Sequence, residues 1–214
     1  KTIERIMAIV DHKELENILV QFFFSITQNL MDEIDLINID GRECRGSKRK
    51  ETLKQEGCIP LNMLNVYSNK YGLCIYSEQI GEKTEEMKAV KKIIPVLNVK
   101  DAILTWDALN SQKDNVEAVV DAFAHYVIPI KGNHPKFSEE LKEFFDEKEQ
   151  ECIIAGKTNT GYKKETEYKN GFIVSREYFQ TTEIDWFEDK YLWKNLRSFG
   201  MVKTTKEGKE ESTV

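Results

Sequence analysis

The chain has 214 residues, 40% hydrophobic and 32% charged, with a formal net charge of −6 at pH 7. That balance excludes a disordered or fibrous chain and suits a globular domain with a core. It also excludes DNA binding by bulk charge alone, because affinity for a phosphate backbone needs clustered Lys and Arg.

Lys1 to Arg5 lacks the pattern of a signal peptide. The longest apolar stretch, Ile18 to Ile26, is broken by Gln21 and Ser25 and is too short to span a bilayer. No membrane partner and a cytoplasmic location are expected. The chain does not begin with Met, so a fragment is expected. Cys44, Cys58, Cys74 and Cys152 show no zinc-site spacing and are read as free thiols.

Residues 1–33 read as a helical segment. Ile3, Ile6, Met7 and Val10 share one face, and Leu15, Ile18, Leu19, Phe22 and Phe23 continue the pattern. Asp11, with Glu14 three residues on, has the form of a capping box. Such faces ordinarily serve a core. Ile34 to Gly41 then reads as a short strand closed by the Asp40-Gly41 turn signal. A basic loop follows, with Arg45, Lys48, Arg49 and Lys50. Leu61–Tyr67 and Tyr71–Ile80 read as strands joined at Ser68-Asn69-Lys70. Thr84–Leu97 reads as an amphipathic helix whose last turn Pro95 disturbs.

Ala102–Ala108 reads as a buried strand ending in Asp107, Ser111–Ala124 as a helix, Tyr126–Asn133 as a strand running into a turn, and Phe137–Phe145 as a short helix. Strands in hairpins, then strands alternating with helices, imply an α/β fold with a mixed sheet and flanking helices. From Glu151 the chain reads as irregular. Phe172–Thr181 is a further strand, Trp186–Phe199 a helix, and Lys203–Val214 a frayed, charged tail.

Two acids stand out. Asp40 and Asp107 each end a strand in this reading, and active sites of α/β sheets favour the carboxyl ends of strands. Were those strands neighbours, the carboxylates would meet. Their repulsion would be relieved by a hard divalent cation such as Mg²⁺, which suits phosphodiester chemistry. The bland readings are a turn at Asp40-Gly41 and a helix cap at Asp107. Lys131, before Gly132-Asn133, could meet a phosphate or simply belong to a strand-end turn. Arg45 and Lys48 could track a DNA backbone or be solvated. His12, His125 and His134 lack metal-ligand spacing.

Several short blocks, in order, carry a family resemblance. They are Ile39-Asp40-Gly41 with Arg45-Gly46-Ser47, Thr105-Trp106-Asp107-Ala108-Leu109 with Gln112-Lys113, and Tyr126-Val127 through Ile130-Lys131-Gly132-Asn133-His134-Pro135. Thr182–Trp186 and Ser198–Val202 add to them. Together they resemble the ISAs-type insertion-sequence transposases, also called H-repeat-associated proteins.

The resemblance implies an RNase H-like DDE catalytic domain over residues 34–214, in which two Asp and one Glu hold Mg²⁺ or Mn²⁺ and cut and join DNA. Asp40 and Asp107 match the first two acids. The third is expected beyond Val214, so the chain is expected to be truncated. The implied partners are DNA, as transposon ends and target, and further copies of the chain in a synaptic complex. The family's His-Gly-Arg-x-Glu-x-Arg block reads Asn170-Gly171-Phe172-Ile173-Val174-Ser175-Arg176 here, with Val174 at the Glu position. Glu177 lies three residues on and so on the other face of a strand. An inactive transposase remnant and a related metal-dependent nuclease are the alternatives.

Overall fold

The computed structural model describes residues 2–27, 34–44, 61–81, 83–97, 99–155, 160–169 and 171–208. The chain divides into two compact units, Lys1–Pro129 and Ile130–Val214. Among the described residues, no helix is long and apolar enough to cross a membrane.

The first unit opens with helices α1 (Thr2–Met7) and α2 (His12–Thr27). Asp11 caps α2, its Oδ1 accepting from Lys13 N at 2.9 Å and Glu14 N at 3.1 Å. The apolar faces do not serve a core as expected. Ile3, Ile6, Ile18, Leu19 and Phe22 are all exposed. Periodicity is enough to make an amphipathic helix, but it does not supply the surface that covers the stripe.

Strands β1 (Leu36–Cys44), β2 (Leu61–Ser68), β3 (Leu73–Ile80), β4 (Ile103–Trp106) and β5 (His125–Tyr126) form one sheet in the order β3-β2-β1-β4-β5. The β1–β2 and β2–β3 pairs are antiparallel, and β1–β4 and β4–β5 are parallel. Helices α3 (Lys83–Ile93) and α4 (Lys113–Asp121) flank it. This is an RNase H-like α/β arrangement. A hairpin pair can be antiparallel through a short turn, whereas the parallel pairs need the α3 and α4 crossovers. Pro95 ends the regular helix as expected, and Ile94–Val96 continues as a 3-10 turn.

Alternation along the strands builds the core. Ile37, Ile39, Leu64, Val66, Leu104 and Trp106 are buried, and so are Val90, Ile93 and Ile94 of the α3 segment and Val116 and Val119 of α4. At the far end of the sheet, Asp35 ties down the β2–β3 turn. It accepts from the buried Ser68 Oγ at 2.5 Å and from Lys70 N at 3.0 Å. β5 is shorter than expected. Val127 N still donates to Leu104 O at 2.9 Å, but residues 128–130 run on outside the strand, although β4 itself extends to Trp106.

The second unit pairs helix α5 (Pro135–Ala155) with an antiparallel sheet of β6 (Thr160–Lys169), β7 (Phe172–Thr181) and β8 (Phe199–Gly208) in chain order. Three expectations are corrected here. The helix runs ten residues past Phe145, the segment near Gly161 is a strand, and Lys203–Gly208 of the charged tail pair with β7. Cross-strand ion pairs accommodate these charges in a ladder, as with Lys164 and Glu177 at 3.4 Å. Trp186–Phe199 is not helical. Beyond a 3-10 turn at Glu188–Leu192, its aromatic residues close a ring cluster instead. Phe187 stacks on Phe137 at 4.2 Å, and Trp193 and Phe199 approach the same ring at 5.6 and 5.8 Å. Ring packing on α5 buries more surface than a solvated amphipathic helix would.

Candidate functional site

The site follows from strand register. On the parallel pair, Ile37 lies beside Leu104, Asn38 beside Thr105 and Ile39 beside Trp106. Carrying that register one residue further sets Asp40 beside Asp107. Adjacent strands are about 4.8 Å apart, and in-register residues of parallel strands face the same way. Ile37, Ile39, Leu104 and Trp106 fill the buried face. Asn38, Asp40, Thr105 and Asp107 therefore belong to the opposite face, and both acids are exposed.

The two acids arrive there by different local structures. Asp40 does not end its strand, which corrects the sequence expectation. β1 continues through Gly41 to Cys44, because β2 runs alongside and pairs Gly41 with Leu64, Arg42 with Met63 and Cys44 with Leu61. Those ladder bonds outweigh the turn preference of Asp-Gly, so the turn reading of Asp40 falls. Asp107 does follow its strand directly. Its Oδ1 accepts from Ala108 N at 2.6 Å and caps the 3-10 turn Ala108–Asn110. The capping reading therefore holds for Asp107. It does not exclude ligation, since a carboxylate has a second oxygen and further lone pairs.

The polar face extends across the antiparallel half of the sheet. Asn65 lies beside Asp40, and Ser77 beside Asn65. Ser77 Oγ donates to Asn65 Oδ1 at 2.8 Å and holds that amide in place. A row of Ser77, Asn65, Asp40 and Asp107 thus crosses four strands. Two residues past Asp40, Arg42 stands on the same face and is exposed. Sequence reasoning missed both Asn65 and Arg42. The signal for Arg42 was present: Ile37 and Ile39 against Asn38 and Asp40, carried through Gly41, sets Arg42 with the acids.

Two carboxylates on one face fit a hard divalent cation that takes its other ligands from water and phosphate oxygens. Among the described residues, no group of three or more His, Cys, Asp or Glu is arranged to hold a metal. The two acids alone fall short of such a group among the described residues.

Arg45 and Lys48 lie outside the described residues. Lys131 is exposed at a turn of the second unit, where its N–H donates to Asn133 Oδ1 at 3.0 Å and its carbonyl accepts from His134 N at 2.9 Å. The turn is thus real, but it does not end a strand, since β5 stops at Tyr126. His134 packs edge-on against Trp193 at 5.2 Å, a structural role. Val174 is buried in β7, paired with Glu167 of β6 and Lys206 of β8. Glu177 is bonded elsewhere, accepting from Tyr162 Oη at 2.7 Å. The Tyr162 hydroxyl, with Lys164 nearby, holds the Glu177 carboxyl below its ordinary value against a smaller opposing effect of burial.

Comparison with known proteins adds kinship. No family model matches the chain. It is 25% identical over 213 residues to "Putative transposase YncI" of Escherichia coli O157:H7, covering 99% of this chain and 52% of that protein. It is 28% identical over 144 residues to the protein of the same name from strain K12, covering 67% and 56%. It is 29% identical over 118 residues to "H repeat-associated putative transposase YbfD" of strain K12, covering 55% and 45%. The chain spans about half the length of these relatives. It is a sequence homologue of the H-repeat-associated transposase family, as the ordered blocks led us to expect.

Proposed function

We propose that this homologue of the H-repeat-associated transposases carries part of a DDE transposase centre, in which Asp40 and Asp107 bind Mg²⁺ or Mn²⁺ and DNA is the substrate. The observation that supports this most is the register between β1 and β4, which pairs Ile39 with Trp106 and, carried one residue further, would bring the two acids alongside on the polar sheet face.

A divalent ion held there would polarise a phosphodiester and lower the pKa of an attacking oxygen. The chain's own residues do the positioning. The Ala108 N–H fixes one oxygen of Asp107 and leaves the other to bind. Asp40 is paired with Asn65 of β2 and directly follows Ile39, the last residue of β1 paired with β4, so its carboxylate projects from a strand rather than a loop. Trp106 and Ile39, buried on the reverse face, close the sheet to water beneath the acids. Lys131, with Arg45 and Lys48, is proposed to contact DNA phosphates, and the ends and target are proposed to be gathered by more than one copy of the chain.

The test is Mn²⁺ titration followed by thermal unfolding. Mn²⁺ stabilises the unaltered chain, by about 2.7 kcal/mol at a hundredfold excess over Kd, and Asp40→Ala or Asp107→Ala removes that gain. No stabilisation, or stabilisation indifferent to both substitutions, overturns the proposal. Strand transfer by the protein that contains this chain separates a transposase from a nuclease, which only cleaves.

A further inference from the structure

The geometry points to Arg42 as a substrate-contacting residue that grips a phosphate oxygen of DNA beside the Asp40–Asp107 pair. This inference rests on the reading of those acids as a metal site.

Three observations carry it. First, β1 pairs with β2 without a register break from Ile37 to Cys44. Strict alternation therefore holds, and Asp40 and Arg42 share a face. Two residues along a strand is about 6.6 Å, within reach of an arginine side chain. Second, the surroundings on that face leave the guanidinium uncommitted. Arg42 lies beside Met63, which is apolar and offers it no counter-ion. Among the described residues its side chain makes no hydrogen bond or ion pair, although the chain carries 37 Asp and Glu against 31 Lys and Arg. Elsewhere the exposed Lys91 and Lys163 and the half-buried Arg176 are each paired with an acid.

Third, the chemistry is complementary. Carboxylates bind cations and repel phosphate, so an acid pair alone holds a metal but not the substrate's charge. A planar guanidinium offers paired N–H donors that match two phosphate oxygens. Set one step along the strand from the acids, it would take an oxygen of the scissile phosphate or of its neighbour. Asn65, held by Ser77 on the same face, adds a neutral polar group to the row.

The test measures two equilibria on the full 214-residue chain. Mn²⁺ binding is read by calorimetry, and Mn²⁺-dependent binding of a short fluorescein-labelled duplex by anisotropy across a salt series. Arg42→Gln is expected to leave Mn²⁺ affinity and melting temperature unchanged. It should weaken duplex binding about tenfold and reduce the slope of log K against log salt by about one. Arg42→Lys restores the slope but only part of the affinity, because a point charge replaces the fork. Lys88→Gln, which removes an exposed charge on α3, changes neither.

If Arg42→Gln binds the duplex like the unaltered chain, with the same salt slope, the inference is wrong. It is also wrong if Lys88→Gln does equal damage, or if the unaltered chain shows no Mn²⁺-dependent duplex binding. Asp40→Asn keeps the two readings apart. Mn²⁺ binding that survives Asp40→Asn removes the metal site itself, whereas Mn²⁺ binding lost in Asp40→Asn alongside an inert Arg42→Gln removes only the role of Arg42.

Discussion

Asp107 caps a turn and is proposed to bind metal, and different substitutions can separate the two. Its Oδ1 caps the Ala108–Asn110 turn, a role an asparagine keeps and an alanine loses. Asp107→Asn should therefore melt within about 0.5 kcal/mol of the unaltered chain, and Asp107→Ala about 1 kcal/mol below it. Both should lose the Mn²⁺ response, and a retained response in Asp107→Asn would show that the charge is not used. Tyr126 gives a second test at this scale. Burial pushes its phenol up to about 12. The folded chain then holds that proton more tightly than the unfolded chain, whose tyrosines titrate near 10. The contribution is complete below about pH 10 and is lost between about 10 and 12. Urea melts across that range should show a steeper loss for the unaltered chain than for Tyr126→Phe.

Among the elements, the β2–β3 hairpin depends on its turn, which the segment leading into β1 ties down. Asp35 accepts from Ser68 Oγ and Lys70 N, and Ser68 is fully buried. Asp35→Ala should cost about 1–3 kcal/mol in denaturant unfolding, since it strands a buried hydroxyl. In the second sheet, the Tyr162 hydroxyl is the largest cause that lowers the Glu177 carboxyl. A depressed carboxyl contributes stability above its unfolded value, and that stability fades as pH falls through the folded one. Tyr162→Phe should raise the Glu177 pKa toward the ordinary range, as read by NMR titration. An unchanged value would assign the shift to Lys164. α1 and α2 make the same point from the sequence side. Their period was readable, but the exposure of Ile18 and Phe22 was not, because a helix pattern does not contain its partner.

At the scale of the whole molecule, the net charge of −6 makes DNA binding a matter of where the cations stand. Arg42 matters in this light because it stands beside the acids, not because it adds to a total. The core behind the acids is equally local. Leu104 is fully buried, on the strand that leads to Asp107. Leu104→Ala should lower stability by about 2–5 kcal/mol, measurable as a shifted urea midpoint.

Sequence by itself determined the mixed α/β class, the strand leading to Asp107, the limits of β7, the interruption at Pro95 and the family kinship. These depend on short-range pattern: alternation, helical period and proline chemistry act within a few residues. The ordered blocks also singled out Asp40 and Asp107. Only the tertiary structure decided that the strand segments leading to the two acids run side by side, since register between β1 and β4 is a long-range property set by the whole sheet. The same holds for the continuation of β1 past Gly41, which needs β2 as its template. That continuation excluded the turn at Asp40 and moved Arg42 from a loop onto the face of the acids. It holds too for Trp186–Phe199, where contact with Phe137 prevailed over helical period because stacked rings on α5 bury more apolar surface.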